Sequence, residues 1–120
     1  MTRGGTVGLS TLEQAAVLRH LELQRCRIEG ESDAQVLELL LCRVATDRIV
    51  ELNVVEAVVA LRYLRTQLRA IADDLLALEE RRLQAGLTVT ISDAWRALDA
   101  DSMLLEGVVR RLWDLLCNAH

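Results

Sequence analysis

Apolar residues recur along this chain mostly at helical spacing, and the polar residues between them supply starts and stops. Ser10 followed by Glu13 makes a capping box, in which the serine accepts from the N3 amide while the glutamate reaches back to the cap amide. A first helix is predicted over 11–28, with Gly30 placed to end it, since glycine takes the left-handed conformation at no steric cost. Ser32 with Gln35 repeats the box and opens a second helix. Its Leu37, Leu40, Val44, Ile49, Val50 and Leu52, with their apolar neighbours, cover well over half the circumference, as in the middle of a bundle. Asn53 with Glu56 forms a third box and predicts a break near Leu52. The alternative is a continuous rod over 33–84, which the lack of Pro or Gly there permits.

From Val54 the pattern becomes heptad-like. Val54, Leu61, Leu68 and Leu75 fall at one seam position; Ala57, Leu64, Ile71 and Leu78 fall at the other. Arg69 and Asp73 are spaced to pair on the outer face, and Gly86 closes the helix. The segment 87–91 (LTVTI) is β-branched and reads as a short extended connector. Ser92 and Asp93 start a fourth helix, and Asp99, Asp101 and Ser102 offer a recapping before a last one built on Leu105, Val108, Leu112 and Leu115. The fold class is therefore all-α: a four- to five-helix bundle with one long heptad-patterned helix over about 54–84. Residues 1–9, with three glycines, read as a flexible lead-in to a single all-helical domain over 10–120. No internal repeat is evident from the pattern.

Composition narrows the function. A chain of 120 residues is one domain's worth and buries enough surface to need no disulfide or metal. The apolar share is 52% and the mean hydropathy +0.21, yet no apolar run approaches the roughly 18 residues of a membrane span. No secretory h-region follows the N-terminus, so a cytoplasmic location is expected. Three cysteines without a CxxC pair predict reduced, buried thiols. A net charge of −4, with all 14 basic residues arginine, sets the overall field against nucleic acid and anionic membranes.

The chemistry-bearing residues form no recognisable constellation. Asp73–Asp74, Glu79–Glu80 and Asp99–Asp101 are neighbours on amphipathic helices, which line a wet face rather than converge across a cleft. Cys117 and His120 alone have a short metal-ligand spacing, and no second pair supports them, so no metal and no cofactor are expected. His20, amid Arg19, Glu22 and Arg25, is expected at an exposed or interfacial position. No catalytic residue is assigned and the chain is read as non-enzymatic. Arg62, Arg65 and Arg69 share a helix face near Tyr63 and make an anion-contacting face; interspersed acids and few aromatics argue against direct nucleic-acid binding.

A long helix followed by a glycine, the connector LTVTIS and the helix DAWRALDAD resembles the second helix, second loop and third helix of the histone fold, over at most residues 33–101. That resemblance implies handshake dimerisation. The residues themselves imply apolar stripes wider than one chain can cover, with part of Val55, Val58, Val59, Leu76, Val109, Trp113 and Leu116 left for a protein partner. The expected function is a helical interaction module: a homodimer, or a small subunit or adaptor of a larger hetero-complex. The alternatives are an acidic regulator or inhibitor of a nucleoprotein machine and a histone-fold-like heterodimerising subunit.

Overall fold

The computed structural model describes residues 4–28, 30–86 and 93–118, and the predicted connector over 87–91 lies outside them. The elements run β1 (Gly5–Gly8), α1 (Thr11–Arg27), α2 (Glu31–Thr46), β2 (Ile49–Leu52), α3 (Val54–Gln84) and α4 (Asp93–Asn118). The molecule is mostly helical, and two of the three predicted boxes cap it. Ser10 and Glu13 exchange both bonds at the head of α1 (2.9 and 3.1 Å), as do Asn53 and Glu56 at the head of α3 (2.9 and 2.8 Å). The third box does not form: Gly30 is the cap of α2 and no side chain closes it. The recapping near Asp101 does not form either, because α4 continues through it.

Two strands replace segments expected to be otherwise. Gly5–Gly8, expected as a flexible lead-in, pairs antiparallel with Ile49–Leu52, expected as the end of the second helix. Ile49–Leu52 alternates exposed and buried residues, a period-2 pattern too short to stand out from a helical one. Gly4 serves close approach: a Cβ there would lie 2.0 Å from the Leu52 carbonyl oxygen. A continuous α4 of 26 residues and a strand ahead of α3 also depart from the histone-like arrangement.

The pairing register exposes an internal duplication that the sequence pattern alone did not show. A shift of 43 positions lays 5–28 on 48–71 with eight of 24 residues identical, and a shift of 68 lays α2 on 99–114 with four of 16 identical. Val7 pairs with Val50, its own equivalent, while Thr6↔Glu51 and Gly8↔Ile49 exchange under the same shift. A two-fold relation between the halves therefore passes through the Val7–Val50 pair, and the chain is a tandem of βαα units closed on itself like an isologous dimer. The core obeys it: Leu9 and Leu52, Leu21 and Leu64, Leu37 and Leu105, Leu40 and Val108, Val44 and Leu112 are all buried. Beneath the ribbon all of these side chains except Leu37 and Leu105 enclose a small apolar cavity of about 30 Å³, which Val17 lines from one repeat and Ala60 from the other.

The repeats differ chiefly in length. The two shifts, 43 and 68, differ by 25 residues inserted between the helices of the second unit, where the end of α3 and the start of α4 form an arm. Burial fades along this arm: Leu64 and Ile71 are buried, whereas Leu75 and Leu78, on the same seam, are half-buried. The overall extents are 57 × 29 × 26 Å, with a radius of gyration of 16.0 Å; a compact domain of this length has about 14 Å.

Candidate interaction surface

Each capping glutamate is also gripped by an arginine from the opposite repeat. Arg111 on α4 donates through Nη1 to Glu13 Oε1 (2.7 Å) and to the Gly8 carbonyl (3.0 Å). Arg43 on α2 contacts Glu56 Oε2 through Nη1 (2.7 Å) and donates to the Glu51 carbonyl (3.0 Å). Gly8 and Glu51, Glu13 and Glu56, Arg111 and Arg43 are equivalent under the duplication. Both carbonyls belong to the ribbon, so the guanidinium groups satisfy part of its outer edges and hinder further strands from adding there. The Arg111 guanidinium, opposed by burial and helped by the Ser10 amide, holds the Glu13 carboxyl below the usual glutamate range. Its stabilisation is thus full above that range and is lost as pH falls through the depressed value.

A second pair of equivalent clusters joins the repeats farther from the ribbon. Asp33 accepts from Tyr63 Oη (2.6 Å) and Arg62 Nη1 (3.2 Å). Its counterpart Asp101 accepts from Arg19 Nη2 (2.8 Å) and lies 2.9 Å from His20 Nε2, while His20 Nδ1 lies 2.9 Å from Gln67 Oε1. His20 is 6% exposed, not at the exposed position its charged neighbours implied, because it occupies the site that Tyr63 fills in the other repeat. Both ring nitrogens are occupied by protein groups. Gln67 Nε2 is buried without a partner among the described residues, and exchanging the amide's two ends would give Nδ1 a donor.

The three cysteines are exposed rather than buried, since each falls on the outer face of its helix. Among the described residues no three His, Cys, Asp or Glu side chains converge as a metal site, and no helix is long and apolar enough to cross a membrane.

The residues expected at an interface divide. Val55, Val58, Leu76 and Trp113 are exposed, at 53%, 37%, 61% and 55%. Val109 and Leu116 are half-buried against the core, and Val59 is a correction: it is 4% exposed and packs inside, as does its equivalent Ala16. Arg62, Arg65 and Arg69 are all exposed along α3, and only Arg62 has an ion-pair partner among the described residues. The pairing of Arg69 with Asp73 is not formed.

Comparing equivalent positions shows where one repeat has gained apolar surface. Thr6, Ala15, Gln35 and Ala45 are exposed in the first unit; Ile49, Val58, Met103 and Trp113 stand exposed at the equivalent places in the second. Leu23 against Thr66, Leu39 against Gly107, Cys26 against Arg69 and Cys42 against Arg110 run the other way, and the exposed Leu12 is the counterpart of Val55. Val58 and Trp113 lie at the same end of the antiparallel α3–α4 pair, near the ribbon. The outer face of the ribbon presents Thr6, Gly8, Ile49 and Glu51. A two-stranded ribbon of this kind fits the DNA major groove, but none of the four is Arg, Lys, Asn or Gln, the residues whose bidentate contacts to guanine and adenine are the strongest, and Glu51 sets a like charge towards the phosphates. Comparison with family models, curated proteins and solved structures finds no match to this chain.

Proposed function

We propose that this chain is a non-enzymatic protein-interaction module, a small subunit or adaptor that docks a partner through the outer face of its second repeat. The observation that supports the reading is the unequal surface of two repeats whose interiors agree. Ile49, Val58 and Trp113 replace Thr6, Ala15 and Ala45 at exposed places where the monomer gains little from a larger apolar side chain. Solvent-facing tryptophans flanked by apolar residues are the side chains that anchor interfaces.

The homodimer form of this reading is tested by size-exclusion chromatography with light scattering at micromolar concentration, and the hetero-complex form by co-purification from the native host. The informative variant carries the first repeat's residues at two positions, Val58→Ala with Trp113→Ala. It is expected to keep its melting temperature within a few degrees and to lose association about tenfold or more. Unchanged association would overturn the proposal. The nucleoprotein-regulator alternative predicts instead that salt-sensitive binding to nucleic acid or to a basic partner survives this double substitution.

A further inference from the structure

We infer that the partner meets α3 with an acidic amphipathic helix, an inference that rests on the interaction-module reading and names the chemistry of its partner. A single outer stripe runs along α3 at alternating spacings of three and four: Val55, Val58, Arg62, Arg65, Arg69, then Ala72 and Leu76. It continues through Glu79, which is tied to Arg82, to Leu83, which is 68% exposed. The stripe is distinct from the inward seam of Leu64 and Ile71, so α3 carries one heptad face for the core and another for solvent. It reads apolar, then triply cationic, then apolar, over about 42 Å of helix.

Each segment constrains the occupant. Apolar residues at both ends call for a partner with leucine-like side chains at helical spacing, and the heptad period suits a helix coiling left-handedly along α3. The cationic middle calls for carboxylates. Arg65 and Arg69 have no ion-pair partner among the described residues, and the first repeat has Glu22 and Cys26 at their places, so the duplicated framework does not require these charges. A second copy is less suited to this face: laid antiparallel about the middle of α3 it sets Arg69 against Arg69, and in the register that sets Val55 against Leu76 it brings Arg62 against Arg69 and Arg65 against Arg65. A nucleic-acid backbone is disfavoured by the apolar residues at the ends of the stripe, which phosphates leave without a partner.

The test uses the full chain and two designed peptides of about 28 residues, the length that spans the stripe. Both carry leucines at the a and d positions of their ends; one has three glutamates in its middle and the other three lysines. Fluorescence anisotropy is expected to show the glutamate peptide binding at least about tenfold more tightly than the lysine peptide and weakening as salt is raised. The variant Arg65→Glu with Arg69→Glu, checked for an unchanged circular-dichroism melt, is expected to reverse that preference.

Equal binding of both peptides, or none up to about 1 mM, overturns the inference. So does salt-sensitive binding to duplex DNA that the double variant abolishes, which would assign the arginines to nucleic acid. Photo-cross-linkers placed at positions 65 and 113 in the native host separate the two levels. Cross-linking from 113 alone keeps the interaction module and discards the acidic helix; cross-linking from neither discards both.

Discussion

Tyr63 shows what a single side chain contributes to joining the repeats. Its phenol donates to Asp33 and is half-buried, and that bond, with burial and the carboxylate charge, raises its pKa above the ordinary value despite Arg62 nearby. A raised pKa means that the fold favours the protonated phenol, so this stabilisation is complete below the unfolded value of about 10 and disappears as pH climbs through the folded one. Tyr63 is the only tyrosine, so phenolate absorbance near 295 nm reports it alone. The expected midpoint lies above that of free tyrosine and falls back towards it in Asp33→Asn; an identical midpoint in both proteins would contradict the bond. Tyr63→Phe is expected to cost about 1 kcal/mol at neutral pH. Nothing in the sequence marked this pair, since Asp33 and Tyr63 are thirty positions apart and on different helices.

At the scale of elements, helices were readable where a local rule sufficed. The boxes at Ser10–Glu13 and Asn53–Glu56 each need only four consecutive residues, and both form. The start of α2 was misplaced because Ser32 and Gln35 offered the same four-residue signal while Gly30 took the cap. The strands were missed for a different reason: each is only four residues long and gains its stability from the other, a pairing that no window along the chain contains. The duplication was hidden by its interrupted period, since the arm splits a single spacing into shifts of 43 and 68. Once seen, it predicts packing. Ala60 faces the central cavity where the first repeat has Val17, so Ala60→Val should fill space and raise stability by about 0.5–1.5 kcal/mol, whereas Val17→Ala should lower it by about 1–3 kcal/mol. Chemical denaturation measures both; a destabilised Ala60→Val protein would show that the cavity cannot accept two more carbons.

The whole molecule divides into a two-fold core and an arm that breaks the symmetry. Replacing residues 72–98 by the two-residue sequence Glu-Gly restores to the second unit the helix-to-helix spacing of the first. The shortened chain is expected to unfold cooperatively with a smaller hydrodynamic radius, because among the described residues the fully buried ones lie outside the excised segment; a molten product would show that the arm supports the core. The candidate interface was legible in part: Val55, Val58 and Trp113 follow from amphipathic spacing, but Val59 could be assigned to the core only once α1 was in place beside α3. The crossed grip of Arg111 on Glu13 and Arg43 on Glu56 carries a consequence for biosynthesis. The first unit leaves the ribosome with its ribbon unpaired and its glutamate unanswered, because the strand and the guanidinium it needs are encoded downstream. Folding must await the synthesis of α4, and until then the nascent segment holds greasy side chains that a chaperone is suited to cover.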